Sequence, residues 1–189
     1  SFSLTAEPLL KGLDTPRIVV GTDGTGYVLT ADGQLYTVTG GGVEAVVKEQ
    51  GRTLEGRLSE SAQLTVVGDK VVVLDGTTLT VGGRSVTEEG FTGGVLQQPS
   101  GPSGTVVVAT PSELLKVEIS SGRVARESIP SGKPTAPVQL DGCTYALWAE
   151  SGYYVRDCGG DQYERAQHPV LASAKQPVFR TNRKVIVIN

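Results

Sequence analysis

The 189-residue chain has no methionine, one tryptophan, one histidine and two cysteines, and aromatic residues make up only 5% of it. Its longest aliphatic runs, such as Val71-Val72-Val73-Leu74 and Val185-Ile186-Val187-Ile188, stop at four residues. A membrane-spanning helix needs about eighteen or more, so no span is expected in this segment. A basic surplus is also missing: 17 Lys and Arg stand against 20 Asp and Glu, the net charge is −3 and the pI is ≈ 5.2. Without a global positive field there is nothing to hold a phosphate backbone, which excludes nucleic acid as the expected partner. The glycines follow no collagen period, the apolar residues follow no heptad, and 38% hydrophobic content at so small a net charge excludes a disordered acidic tail. The opening Ser1-Phe2-Ser3-Leu4-Thr5 lacks the basic region and long apolar core of a signal peptide. The chain stops inside the strand-like run Lys184 to Asn189. Both ends read as cuts, and the expectation is a fragment of a larger chain.

Turn formers are what the sequence has in abundance, with 25 glycines and 10 prolines. Between them lie short β-branched runs that recur: Gly26-Tyr27-Val28-Leu29, Lys70-Val71-Val72-Val73-Leu74, Thr105-Val106-Val107-Val108, Thr144-Tyr145-Ala146-Leu147 and Lys184-Val185-Ile186-Val187. Anchored on Val28, Val72, Val107, Ala146 and Ile186, the gaps are 44, 35, 39 and 40 residues. A period near forty is the length of a propeller blade. An apolar run precedes each anchor, and two alternating runs follow it, so each module reads as four strands. In the first module these two are Gln34 to Val38 and Val43 to Val47; in the third they are Leu114 to Ile119 and Arg123 to Arg126. Asp-Gly pairs at 23–24, 32–33, 75–76 and 141–142 fall between strands, where tight hairpins need positive φ. No dozen-residue window supports a helix.

The fold class expected is therefore all-β, a propeller-like array of four-stranded antiparallel blades forming a single domain over residues 1–189. Four full modules are assigned to residues of about 15–50, 60–92, 93–132 and 135–168, and a partial fifth to 175–189. A β-sandwich is the alternative, although it would show no forty-residue supermodule. The ring stays open unless Phe2 to Thr5 supplies an outer strand of the last blade. Open blade edges invite pairing, so a dimer through them is expected if no further chain covers them.

Cys143 and Cys158 flank two runs that fold into a hairpin around Glu150-Ser151. Pairing residues whose numbers sum to 301 sets the cysteines directly opposite each other, followed on the same face by Tyr145 with Arg156 and Leu147 with Tyr154. Directly opposed residues lie within the reach of a disulfide. Two reduced core cysteines or a metal site are the alternatives, but the cysteine ligands of zinc come with further Cys or His, and only His168 is present. A disulfide implies an oxidising, extracytoplasmic location.

The stretch from Asp141-Gly142-Cys143 through Trp148 to Tyr154-Val155-Arg156-Asp157-Cys158, followed by Pro177-Val178-Phe179-Arg180-Thr181-Asn182-Arg183 and Val185-Ile186-Val187-Ile188-Asn189, resembles the propeller-like segment of large secreted or surface-anchored actinobacterial proteins. There the segment precedes tandem fibronectin type III or Ig-like repeats. The resemblance covers residues 135–189 and implies a modular cell-surface protein. It brings no catalytic residue with it.

Catalytic constellations are not found. His168, in Gln167-His168-Pro169, has Ser173 as its nearest hydroxyl in sequence and no nucleophile-elbow motif beside it. The innermost strands, 18–20, 64–67, 95–98, 138–140 and 178–180, carry no Asp or Glu where a glycosidase on this fold would mount its pair. Glu55, Glu60, Glu88, Glu89, Asp141 and Asp161 read as solvated loop charges. Thr22-Asp23-Gly24-Thr25-Gly26 lacks both the alternating acids of a calcium loop and the lysine of a phosphate loop. No cofactor and no metal are expected. Trp148, Tyr153, Tyr154 and Tyr145 form the candidate binding patch, weighed against packing between blades. Gln97 to Gly104 reads as a polar loop, either a mobile connection or an edge contact. The expectation is a non-catalytic extracellular interaction or spacer domain whose partner is a protein or a cell-envelope carbohydrate. The alternatives are a carbohydrate-active domain with acids supplied by loops and a sensor that docks a peptide on a blade edge.

Overall fold

The computed structural model describes residues 12–40, 45–172, 176–180 and 184–188. Within them lie β1 (Arg17–Val20), β2 (Gly26–Leu29), β3 (Gln34–Thr39) and β4 (Val46–Arg52), which pair in that order as one antiparallel sheet. A second sheet is built from β5 (Gln63–Val67), β6 (Lys70–Asp75), β7 (Thr78–Val81) and β8 (Arg84–Thr87). The third holds β9 (Val95–Leu96), β10 (Thr105–Ala109), β11 (Glu113–Glu118) and β12 (Val124–Ser128). In the fourth the innermost strand is interrupted: β13 (Lys133–Pro134) and β14 (Val138–Leu140) both pair with β15 (Cys143–Ala149), and β16 (Tyr153–Asp157) and β17 (Tyr163–Gln167) complete it. A hairpin of β18 (Gln176–Arg180) and β19 (Lys184–Ile188) follows. The first four sheets are blades, each a meander running outward from its first strand, a place that β13 and β14 share in the fourth.

Period-two alternation decides how the blades stack. Tyr27 and Leu29 of β2 face the second blade and meet Val66 and Val73. On β6, Val72 and Leu74 point the other way, into a core shared with Val106, Val108, Leu115 and Val117 of the third blade. On β10, Val107 and Ala109 face the fourth blade, where Ala146, Trp148 and Val155 receive them. The central strands are thus apolar on both faces, which is why they read as continuous aliphatic runs.

Three expectations are corrected. The last strand of the first blade is Val46–Arg52, not Val43 to Val47; its outer half is polar yet still pairs with β3, where Gln34 Nε2 donates to Glu49 Oε1 at 2.9 Å, so alternation fades before the strand ends. In the third blade β12 runs Val124–Ser128 rather than Arg123 to Arg126. A short helix exists after all, α1 (Pro169–Ala172), together with a single 3-10 turn at Glu89–Phe91. One turn is too short to carry a 3.6 period. Within Gln97 to Gly104, read as a polar loop that is either a mobile connection or an edge contact, Gln97 and Ser100 are buried. The expected outer strand at Phe2 to Thr5, and Val43, Glu44 and Ser173, lie outside the described residues.

The Cys143–Cys158 disulfide is present and closes the open end of the β15–β16 hairpin. Tyr145 pairs with Arg156 and Leu147 with Tyr154 in the register expected. At the other side of β15, Asp141 and Gly142 have φ of 51° and 77° and form the two-residue turn from β14. Two positive φ values in succession define the tight turn whose twist matches the flanking strands, which is what an Asp-Gly pair supplies.

Candidate functional site

The connections that follow the innermost strands gather at one end of the blades. Gln97 to Gly104, between β9 and β10, is the longest, and it is tied down on both sides. Ser100 N donates to Val66 O at 3.0 Å and Gly68 N donates to Ser100 O at 2.9 Å, joining it to the second blade. Gln98 N donates to Pro137 O at 2.9 Å, joining it to the fourth. The segment is an edge contact between blades, one of the two readings its composition allowed.

Three glutamines make this stitching work from within. Gln63 at the start of β5 donates Nε2 to Gly94 O and accepts Leu96 N on Oε1, both at 2.8 Å. Gln97 Oε1 accepts Val107 N at 2.9 Å and Gln139 Nε2 at 2.6 Å, while its Nε2 donates to Gln98 O and Ser100 Oγ. Gln139 Nε2 also donates to Thr105 O at 2.8 Å, and its Oε1 accepts from Ser103 Oγ and Thr105 Oγ1. Each amide offers both donors and acceptors, so a buried glutamine bridges two blades without leaving a polar group unpaired.

Beside this network opens a cleft of ≈ 640 Å³. Its walls come from the third blade (Pro99 to Ser103, Thr105, Lys116) and the fourth (Val138 to Thr144, Asp157 to Gly159), with Thr22 of the first blade at the rim. The two main walls are pinned by an ion pair between Lys116 and Asp157, whose side chains are 26% and 20% exposed. Burial pushes the Asp157 carboxyl up, but the hydrogen bond from Lys116, the backbone N–H of Gly159 and the lysine charge outweigh it, so the group sits below its ordinary value. It is a committed carboxylate. The carboxyl that burial does push above its ordinary value, against the pull of Arg165, is Glu127, which lies outside the cleft lining.

Asp141 and Asp157 therefore share one cleft, which the linear sequence did not reveal. The remaining lining mixes hydroxyls, amides, prolines and glycines with the aliphatic Val138 and Leu140 and the Cys143–Cys158 pair, and no aromatic side chain is in it. Among the described residues no three His, Cys, Asp or Glu side chains gather as a metal site would require. His168 is exposed and its Nδ1 accepts Val170 N at 3.2 Å, capping α1 in front of Pro169 at the first helical position.

The aromatic patch read from the sequence is corrected. Trp148, Tyr145, Tyr153 and Tyr154 are 0%, 2%, 7% and 9% exposed, so they present no contact surface. Trp148 and Tyr153 are a T-shaped pair, 6.0 Å between centroids, in the core with the third blade. Tyr145 and Tyr154 pack on the opposite face with Leu147, against Leu171 of α1. The cleft residues that sequence reasoning passed over are Lys116, Gln139, Ser103 and Thr105. A usable signal existed in the glutamines, which recur at or beside the innermost strand of three successive modules.

No family model matches the chain, and no curated protein matches it either. Solved structures do. A catalytically inactive virginiamycin B lyase from Staphylococcus aureus with quinupristin is 13% identical, with a TM-score of 0.57, over 89% of this chain and 60% of that one. YCF48 bound to D1 peptide is 12% identical, with a TM-score of 0.51, over 93% of this chain and 60% of that one. The fold is propeller-like. At these identities the likeness is one of fold alone, and the chain spans about three fifths of each neighbour's length. Neither neighbour supports the resemblance to fibronectin type III or Ig-like repeat proteins.

Proposed function

We propose that this chain is a non-catalytic, extracytoplasmic propeller domain that binds an extended segment of a partner protein in the cleft between its third and fourth blades. The observation that carries the reading is the composition of the cleft, where hydroxyls, amides and glycines alternate with the apolar Pro99, Pro102, Val138 and Leu140 around an ion pair that is already satisfied. Such walls suit the alternating donors and acceptors of an extended backbone. Cell-envelope carbohydrate, the other partner expected from the sequence, fits less well, because sugar faces stack on aromatic rings and the lining has none. A propeller-like neighbour, YCF48, is bound to D1 peptide, which supports a peptide as the kind of partner. The disulfide supports an oxidising location. Selection of peptides from a displayed random library against the disulfide-intact protein tests this. Retained binders should lose at least about tenfold in affinity on Gly101→Arg, which fills the cleft from the loop. Binders that are indifferent to that substitution would place recognition elsewhere.

A second reading rests on Asp141 and Asp157 sharing the cleft, as two carboxylates do in a glycosidase. Against it, Asp157 is held as a carboxylate by Lys116 and is not available as an acid. Turnover of a polysaccharide that vanishes in Asp141→Asn would establish this reading and displace the first.

A further inference from the structure

We propose that the Cys143–Cys158 disulfide is a thiol–disulfide exchange site for a dithiol reductant, and that its reduction releases the turn between β16 and β17 while the blade core stays folded. Both cysteines are half-buried and line the open cleft, whereas the strand residues next along the hairpin, from Thr144 to Ala149 and from Tyr153 to Arg156, are buried. The disulfide is thus the rung of this hairpin open to a reagent. It is also the terminal rung, and five paired positions from Thr144–Asp157 to Trp148–Tyr153 continue the ladder behind it. Those rungs are held by the core around Trp148 and Val155 and do not depend on the bond.

What does depend on it is the turn. Residues 158–162 are held by Cys158 N to Gln162 O at 2.8 Å and Gln162 N to Gly159 O at 3.1 Å, with Gly159 N donating to Asp157 Oδ1 at 2.9 Å. Gly159, Gly160 and Asp161 are exposed. Asp157, the neighbour of Cys158, is the carboxylate that pairs with Lys116 across the cleft. Freeing Cys158 therefore loosens a cleft wall rather than the core, and local opening of a weakly held turn costs far less than global unfolding.

In the exchange, a thiolate of the dithiol forms a bond to one cysteine sulfur as the Cys143–Cys158 bond breaks and the other sulfur leaves as a thiolate. The second thiol of the reagent then displaces the first cysteine. The dithiol ends oxidised to its own disulfide, and the protein ends with two thiols that take up the two protons the reagent gave up.

The test is treatment of the native protein with dithiothreitol, without denaturant, followed by thiol titration, Trp148 fluorescence and amide hydrogen exchange. Two thiols per chain should appear, and exchange across residues 158–162 should accelerate at least about tenfold. Trp148 emission and protection of residues 145–148 should be unchanged. The inference is overturned if the thiols titrate only in denaturant, if exchange at 158–162 does not respond, or if Trp148 emission and core protection are lost with the bond. The Cys143→Ser, Cys158→Ser double variant should match the reduced protein. Where that variant fails to fold, reoxidation of the reduced native chain supplies the reversible comparison. None of these readouts uses a cleft ligand, so the outcome is independent of the peptide-binding proposal.

Discussion

The indole Nε1 of Trp148, on the central hairpin of the fourth blade, donates a 2.7 Å hydrogen bond to the backbone carbonyl of Thr110, at the β10–β11 turn of the third. The ring is fully buried against Val107, Ala109 and Leu114. One side chain thus supplies apolar area and a polar pin to the same seam. Trp148→Phe keeps most of the area but leaves the Thr110 carbonyl without this donor. The expected loss is about 2 kcal/mol of unfolding free energy, the cost of stranding a buried acceptor, read from urea denaturation.

Gly132 sits under the same tryptophan. A Cβ built there would lie 2.5 Å from Ser151 Oγ and 2.9 Å from Trp148 Cβ. The hydroxyl can swing away, but the Trp148 Cβ is part of a paired strand. Gly132→Ala should therefore destabilise by about 1–3 kcal/mol, as overpacking does, and adding Ser151→Gly should recover only part of that loss. Full recovery would show that the hydroxyl alone sets the limit.

How much of this was legible follows from the alternation itself. The five β-branched runs fall in equivalent strands, yet their anchors do not fall on equivalent faces. Val72 and Val107 look toward the following blade, Ala146 looks toward the preceding one, and Val28 lies on the side of β2 away from the second blade. A strand apolar on both faces gives no contrast between odd and even positions, so the period emerges while its phase does not. The β15–β16 register was readable because two cysteines fixed it. Burial of Trp148 and Tyr153 was not, because it is imposed by a neighbouring blade about forty residues away in sequence. The cleft was hidden for the same reason: Lys116 and Asp157 are 41 residues apart, and each alone is an ordinary surface charge.

Gln97 is 2% exposed, and both ends of its amide are occupied. Replacing it with methionine preserves length, strands the Val107 N–H and leaves Gln139 Nε2 with Thr105 O alone. The expected cost is about 1–3 kcal/mol, a buried donor losing its acceptor while a half-buried one keeps its second partner. Gln139→Met in the Gln97→Met background should cost about 1 kcal/mol less than in the wild type, since one of its partners is already gone. Additive losses in the double-mutant cycle would mean that the 2.6 Å contact between the two amides contributes nothing.

Loss of the disulfide removes a cross-link spanning 15 residues. On the chain-entropy account that lowers unfolding free energy by about 3 kcal/mol. Thermal unfolding of the Cys143→Ser, Cys158→Ser variant should shift accordingly but remain cooperative, because the packing at Trp148 and Val155 lies behind the bond.

The seam between the third and fourth blades also sets opposing pH dependences. The Asp157 carboxyl is held below its unfolded value, so its contribution is complete above about pH 4 and is lost as the pH falls through the folded value. Burial holds Glu127 above its unfolded value, with Arg165 opposing and Asp157 adding to the rise, so its contribution is complete below about pH 4.3 and is lost as the pH climbs through the folded value. Lys116→Gln should therefore lower stability more at pH 7 than at pH 3, because the contribution of the Asp157 carboxylate fades as the pH falls below about 4 toward its folded value. Glu127→Gln should do the reverse, raising stability at pH 7 relative to pH 3. The two effects should not add, because Lys116 and Asp157 both act on Glu127. Urea midpoints of the two single variants and their double across pH 3–7 measure both slopes, and equal shifts at the two extremes would remove Asp157 and Glu127 from any part in the acid response.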